Sequence, residues 1–307
     1  MINMYKALIK ILNTIGMRKT AFSLRRLIVD VNKDALVLEI GSGNKPYSRS
    51  NILLDASLEN YERAGDLIID RPLVIGIGEC LPFKDKSFDY VITSHVLEHT
   101  SRPRLFIEEM MRVGKAGYIE VPEAWIEHLN PWEIHRSEIS VVDEVLVIRE
   151  KSEPICDEFV TNSFLERVFK KRIWQRFMNR HPWLGICRYH WKASINYQII
   201  NEGASLNWEV PMALNSSCVE KKDKFFLLQV ISSKIRWALF RYLFAFSHRR
   251  NIDLLSILRC VECGSEDIVD KQDKIICSKC QMEYECRSGV PHMTAKNIRT
   301  NLRYEEQ

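Results

Sequence analysis

The sequence predicts an α/β protein built on a mainly parallel sheet, followed by a small cysteine-rich domain that a helix joins to it. Three observations support this prediction. Five short apolar runs alternate with polar or helical segments in the first half of the chain, which is typical of parallel βα units. Two CxxC pairs lie close together near residue 270. An apolar stripe with helical spacing precedes them.

Composition limits the classes of protein to consider. The 307 residues suffice for about two domains, and 46% hydrophobic with 27% charged residues is ordinary for a globular protein. A net charge of +4 does not by itself indicate a nucleic-acid partner. Lysines interrupt the first apolar residues, and no apolar run approaches the ~18 residues of a membrane span. Nine cysteines without a leader favour zinc thiolates over disulfides, so we expect a cytoplasmic protein.

The periodicity of apolar residues assigns the elements in chain order. One or two amphipathic helices are predicted over residues 3–29. Strands are predicted at 36–40, 52–54, 73–77, 89–93 and 118–121, then at 145–148 and 195–200 as late edge strands. Helices are predicted over 105–113 and 163–179. The expected domains are 1–215 with its core at 34–123, a basic linker helix at 216–250, a cysteine domain at 251–298 and a tail at 299–307.

The first strand ends in an acid and a glycine turn, Glu39-Ile40-Gly41-Ser42-Gly43. In open parallel sheets the ligand binds at the carboxyl ends of the strands, where glycine lets the backbone approach it closely. A dinucleotide site would have a third glycine opening a helix, whereas Asn44-Lys45-Pro46 follows here. The motif therefore favours S-adenosylmethionine (SAM) over NAD.

Later segments extend this motif into a family resemblance. Ile52-Leu53-Leu54-Asp55 ends a second strand in an acid, and residues 76–92 read GIGECLPFKDKSFDYVI. Residues 93–99 read TSHVLEH, and Met110-Met111-Arg112-Val113 follows. Together they resemble class I SAM-dependent methyltransferases with the pattern D-A-E-x-L-P-F-x-D-x-S-F-D-x-V. The resemblance covers roughly residues 34–123 and implies a Rossmann-like fold and methyl transfer from SAM.

The resemblance also implies roles for individual residues. It assigns cofactor binding to Glu39, Gly41, Gly43, Asp55, Gly78, Glu79 and Ser94. His95 would face the acceptor, and His135 lies in an aromatic segment where such enzymes often build substrate pockets; either could be a catalytic base or a structural histidine. Two departures stand out. Ile77 replaces an Asp that often binds adenine, and eight residues between Gly43 and Ile52 are too few for a full crossover helix.

The cysteine motif is Cys260-x2-Cys263 followed after thirteen residues by Cys277-x2-Cys280. Four converging thiolates predict a tetrahedral zinc site that is structural, because no coordination position stays open. The flanking residues, Leu254–Arg259 and Ser288–Pro291 among them, resemble the small zinc-ribbon proteins that activate methyltransferases. This implies that the ribbon docks on the methyltransferase domain of its own chain or of a neighbour in a homodimer. A generic adaptor for nucleic acid or protein stays open.

The acceptor and the basic segment leave several possibilities. Residues 219–250 hold eight Lys/Arg and two acids, so a helix over 224–250 could pack between domains, lie on an anionic membrane surface or contact RNA. The motif match favours a small-molecule, lipid or sugar acceptor. The alternatives are a methyltransferase acting on RNA or a translation factor, and a non-catalytic regulatory scaffold with a degenerate SAM site, which Ile77 motivates.

Overall fold

The structure is a computed structural model that describes residues 2–27, 29, 31–58, 66–208 and 252–295. The basic segment 224–250 and the tail 299–307 lie outside these residues, so the linker helix and its membrane or RNA contacts stay predictions, as do the domain bounds. Within the described ranges, no helix is long and apolar enough to cross a membrane.

The described part of the chain before residue 209 contains both strands and helices. The strands before residue 209 are β1 (Val37–Ile40), β2 (Ile52–Asp55), β3 (Leu73–Ile75), β4 (Tyr90–Ser94), β5 (Ala116–Pro122), β6 (Ser137–Val142), β7 (Val145–Glu150), β8 (Ile186–Lys192) and β9 (Tyr197–Ile200). The helices are α1 (Ile2–Thr14), α2 (Arg18–Ser23), α3 (Pro103–Val113), α4 (Ala124–Leu129), α5 (Glu158–Phe164) and α6 (Arg172–Arg180).

The main sheet has the order β3-β2-β1-β4-β5-β8. Its first five strands are parallel, and β8 runs antiparallel to β5. The strands β1, β2 and β3 are buried along their whole length, as expected for a parallel sheet covered on both faces. Helix α3 packs Phe106, Ile107 and Met110 into the core. The predicted α/β class, the five strands and this helix are confirmed.

The second half of the domain differs from the prediction. The runs at 145–148 and 195–200 do form strands, but β7 and β9 belong to a separate sheet with the order β6-β7-β9. The edge strand of the main sheet is instead β8, which the sequence did not reveal. The helix expected over 163–179 is divided into α5, a π-helical turn at Leu165–Phe169, and α6. No helix lies between β1 and β2, in agreement with the short spacing after Gly43.

Residues 252–295, here called the cysteine module, fold on one edge of the main sheet. Their strands β10 (Ile268–Lys271), β11 (Lys274–Cys277), β12 (Glu283–Arg287) and β13 (Val290–Pro291) form an antiparallel sheet. The amide of Met293 donates to the Ile75 carbonyl at 2.7 Å, which prolongs the main sheet beyond β3. Leu258 forms a bridge with Phe83, and both are fully buried in one continuous core. The module therefore contacts the α/β domain of its own chain.

Candidate active site

The turn after β1 depends on its glycines. Gly41 and Gly43 have φ values of +70° and +53°. These lie in the left-handed region of backbone conformation, which residues other than glycine adopt only at a cost in free energy. A Cβ on Gly41 would also lie 2.1 Å from a methyl carbon of Val96. The Gly41 amide donates to the Leu54 carbonyl at 2.7 Å. This loop is thus fixed across the carboxyl ends of β1 and β2.

Two acids hold this loop in place. The Asp55 carboxylate accepts hydrogen bonds from the amides of Gly43 at 2.9 Å and Ala56 at 3.0 Å. The buried Glu39 carboxylate accepts from the Tyr47 amide at 2.8 Å and from the Ser50 hydroxyl. The two carboxylates therefore organise the backbone from residue 41 to residue 50, and their contacts with a cofactor stay predictions.

The donor set of the loop suits a polar ligand such as SAM. The hydroxyl of Ser42 is buried and has no hydrogen-bond partner within the part of the chain that the structure describes. A buried polar atom of this kind normally has a partner. Together with the carboxylate of Asp55, it fits a ligand that carries an amino group, a carboxylate and ribose hydroxyls.

Burial raises the pKa of Glu39 to about 7, although the Ser50 and Tyr47 hydrogen bonds and the charges of Arg71 and Arg26 oppose it. The ordinary pKa of a glutamate is about 4.3. The folded protein therefore holds a proton on Glu39 that the unfolded chain has lost between these two pH values. Stability falls as pH rises through this window, by about 4 kcal/mol in all.

We expect Glu39→Gln to stabilise the protein at pH 8 relative to the wild type, because a glutamine accepts the same two hydrogen bonds without a buried charge. The gain should be about 4 kcal/mol at pH 8 and should vanish near pH 4.5. Denaturant unfolding at both pH values measures it. An equal difference between the two proteins at both pH values would contradict a titrating Glu39.

The predicted adenine side is more densely packed than the sequence suggests. A Cβ on Gly78 would lie 2.0 Å from the Phe106 ring, so this glycine is required for α3 to pack. The carboxylate of Glu79 accepts a hydrogen bond from the Thr100 hydroxyl, and Ile77 pairs with Cys80 in a short antiparallel bridge. The contacts of Gly78 and Glu79 with a cofactor stay predictions.

A buried ionic network lies at the carboxyl ends of β4 and β5. Glu120 is fully buried and receives two hydrogen bonds from Arg25, at 2.8 and 2.6 Å, and one from the Tyr118 hydroxyl at 2.6 Å. Burial would raise the pKa of Glu120, but Arg25, Arg26 and Tyr118 outweigh it and lower that pKa to about 2. The carboxylate is therefore ionised, and it ties the N-terminal 3-10 turn (Leu24–Leu27) to the sheet.

Two predicted site residues belong to this network. The Ser94 hydroxyl donates to Glu120 at 3.3 Å and accepts from Arg26 at 2.9 Å. His95 has a φ of +60° and its amide donates to the Glu120 carbonyl at 2.7 Å. When a residue other than glycine adopts this left-handed conformation, the surrounding structure has to hold it there, and such residues cluster at functional sites. The half-exposed His95 imidazole is thus presented beside Ser94 at the end of β4.

The second predicted base, His135, lies in a more enclosed position. It is buried, and its Nδ1 is 2.7 Å from a carboxylate oxygen of Glu127. Glu98 connects the two histidines, because Nδ1 of His95 is 3.3 Å from one of its oxygens and the His135 imidazole lies next to it. Sequence reasoning missed Arg25 and Glu120, which pair across 95 residues, and it also missed Glu127, which contacts His135 eight residues away.

The four cysteines of the module converge as predicted. The sulfurs of Cys260, Cys263, Cys277 and Cys280 all lie within 4.8 Å of one another, and none is in a disulfide. The Cys260–Cys280 and Cys263–Cys277 sulfur distances are 3.5 and 3.6 Å. Zn–S bonds of about 2.3 Å in a tetrahedron give S–S distances of about 3.8 Å. The cluster therefore fits a four-thiolate zinc site.

A cleft of about 310 Å³ opens next to the ionic network, between the end of β5 and strand β8. Arg188 pairs with Glu120 in the register of these strands. The cleft is lined by both polar and apolar residues, which are Glu123, Val141, Ile186, Cys187, Arg188 and His190.

Comparison with known families identifies the central segment. The family described as a methyltransferase domain matches residues 38–119. Residues 38–119 are a methyltransferase domain. The match spans β1 to β5 and confirms the resemblance of residues 34–123 to methyltransferases. The Rossmann-like sheet of the methyltransferase domain agrees with this family.

Individual relatives are similar over only part of the chain. An uncharacterised protein of Methanocaldococcus jannaschii is 39% identical over 83 residues, which are 26% of this chain and 40% of that protein. The YcgJ protein of Bacillus subtilis is 27% identical over 31% of this chain and 47% of its own, with a TM-score of 0.26. A structure from Haloferax volcanii contains the Trm112 methyltransferase activator in complex with an assigned methyltransferase. The matched chain of this complex is 18% identical, the match covers 61% of this chain and 94% of that chain, and the TM-score is 0.35. This chain thus spans less than half the length of the first two.

Proposed function

We propose that this protein transfers a methyl group from SAM to a small-molecule, lipid or sugar acceptor. The observation that most supports this proposal is that the glycine loop, Asp55 and the pair Ser94–His95 lie at the same edge of the sheet, where the strands have their carboxyl ends. They end β1, β2 and β4 within the methyltransferase domain. Ligands bind at this edge of open parallel sheets.

The residues of this edge would position the cofactor. Gly41 and Gly43 would hold its methionine end together with the buried hydroxyl of Ser42, and Asp55 would accept from the ribose hydroxyls. When bound, SAM supplies a methyl group that its sulfonium charge has already activated. The main task of the protein is then to align this group with the nucleophile.

The acceptor would approach from the side of His95. Its half-exposed imidazole can accept a proton where the nucleophile carries one. The cleft of about 310 Å³ beside Arg188 has the size of a small-ligand site. A cleft of this size suits small molecules and sugar or lipid head groups better than a folded RNA.

We further propose that the cysteine module binds one structural zinc ion through Cys260, Cys263, Cys277 and Cys280. The module then acts as a built-in support for the methyltransferase domain. The amide of Lys84 donates to the Ile257 carbonyl at 2.8 Å, and the Arg259 amide donates to the Pro82 carbonyl at 3.0 Å. These bonds hold the segment that directly follows the predicted adenine contacts.

The test is transfer of tritiated methyl groups from SAM into a cell extract, followed by separation into solvent-extractable, RNA and protein fractions. We expect label in the small-molecule or lipid fraction. Asp55→Asn should lower the rate at least about 10-fold at low SAM, because it removes a carboxylate partner of the ribose. Asp143→Asn, at an exposed turn, should match the wild type. Label confined to RNA or protein would overturn the acceptor class, and no transfer at all would overturn the activity.

A further inference from the structure

A second cluster of metal-ligating side chains lies beside the proposed methyl-transfer site. Glu98, His99 and His135 each offer one ligand atom, and these atoms all lie within 4.8 Å of one another. Glu98 and His135 are buried and His99 is half-buried. We propose that these three side chains bind a divalent transition-metal cation. Two imidazoles and a carboxylate form the donor set that such ions favour.

The carboxylate of Glu98 is the group that most calls for a cation. Its side chain is 2% exposed, and its Oε2 has no hydrogen-bond partner among the residues described. A buried carboxylate with a bare oxygen is costly unless a hydrogen bond or a cation compensates it.

The imidazole of His135 is fixed in an orientation that suits ligation. Its Nδ1 lies 2.7 Å from Glu127, which also accepts from the Trp132 amide at 3.0 Å. A carboxylate at Nδ1 places the ring proton there and leaves the lone pair of Nε2 for a metal. The Trp132 ring stacks on His135 at 5.6 Å, and the His99 ring packs edge-on at 4.7 Å. The ring therefore cannot reorient freely.

The charges around the cluster leave room for a cation. Glu127 is already neutralised by Lys151, whose Nζ lies 3.1 Å away with both side chains buried. Among the described residues, the ion pair given for Glu98 is with His95 at 3.3 Å, and the imidazoles of His99 and His135 lie next to it. A divalent ion at the cluster would compensate this remaining negative charge.

The backbone brings the ligands together before any ion binds. The Glu98 carbonyl accepts from the amides of Arg136 at 2.7 Å and Ser137 at 3.3 Å. These bonds join the loop after β4 to the start of β6, and so fix His135 next to Glu98 and His99. Three protein ligands leave coordination positions open to water or to an oxygen atom of the acceptor.

The test is titration of Co²⁺ alone into zinc-loaded protein, followed by calorimetry and visible absorption. We expect one equivalent of Co²⁺ beyond the zinc, with the weak absorption of nitrogen and oxygen ligands. His99→Gln and His135→Ala should weaken binding at least about 100-fold, and Glu127→Gln about 10-fold, because it only orients His135. His128→Ala is the matched control, since His128 contacts the buried Glu138 at 2.9 Å outside the cluster.

Two results would overturn the site: no equivalent beyond the ribbon's, or equal affinity in wild type and His99→Gln. Cobalt that only displaces zinc shows thiolate-to-cobalt absorption and counts as the first of these. Thermal unfolding checks that each variant is folded. SAM titration of the same samples separates the proposals, because SAM binding without cobalt binding rejects the metal site alone.

Discussion

Cys263→Ser should abolish zinc binding and destabilise the whole protein, including the methyltransferase domain. Cys263 is a half-buried member of the four-cysteine cluster, so serine changes its packing little. Structural zinc contributes about 10 kcal/mol or more to the folding of small modules. The module shares one core with Phe83 and Leu81 of the domain. We therefore expect the free energy of unfolding to fall by at least about 5 kcal/mol, which is half of the zinc contribution.

The same change should weaken SAM binding, because the module holds the chain on both sides of the predicted adenine residues Gly78 and Glu79. The Met293 amide bonds to Ile75 at the end of β3, and the Met293 carbonyl lies 3.4 Å from where a Cβ on Gly76 would be. Metal analysis, denaturant unfolding and SAM titration measure the three effects. Cys286→Ser is the matched control, since this cysteine lies in the module outside the cluster. A Cys263→Ser protein that keeps its zinc and its stability would contradict the zinc site.

Arg25→Met should be the most destabilising single change in the N-terminal segment. It would leave the fully buried Glu120 ionised without its bidentate partner, and breaking a buried pair in this way costs about 3–5 kcal/mol. Arg104→Met is the matched control. Arg104 makes the same bidentate contact with Glu202, but both side chains are about half exposed, and exposed pairs contribute at most about 1 kcal/mol.

The pH dependence of stability tests the same pair. The folded pKa of Glu120 is about 2, below its ordinary value. Its contribution, about 3 kcal/mol, is therefore complete above about pH 4.5 and is lost as pH falls through about 2. Denaturant unfolding from about pH 4.5 to about pH 2 should show this loss in the wild type and a much smaller one in Arg25→Met/Glu120→Gln. Equal stability of Arg25→Met and Arg104→Met at pH 7 would reject the assignment.

The first half of the sheet could be predicted because its information is local. Strands buried on both faces read as continuous apolar runs such as Ile52–Leu54, and Gly41 and Gly43 mark the loop. The cysteine spacing was equally explicit. Strand β8 was missed although Arg188, His190 and Lys192 alternate with Cys187, Tyr189 and Trp191 in the period of a half-buried strand. Its aromatic and histidine residues suggested a pocket instead. Its pairing with β5 depends on a contact across some seventy residues.

Residues of the candidate site could be predicted only where they lie at the end of a strand. Glu39, Asp55 and Ser94 lie within the last two residues of their strands, so sheet topology alone brings them together. The Arg25–Glu120 pair joins residues that are 95 apart in sequence, and no spacing rule connects them. Gly78 illustrates a different limit: its motif suggested a cofactor contact, and the structure shows that Phe106 requires it.

Calorimetric titration of SAM and S-adenosylhomocysteine into zinc-loaded protein tests the central claim most directly. One SAM per chain should bind with micromolar affinity. Gly41→Arg should lose this binding while circular dichroism still reports a folded domain, because its side chain fills the loop. No binding of either compound by well-folded wild-type protein would contradict the claim. The chain would then be better explained as a regulatory scaffold that retains the methyltransferase fold.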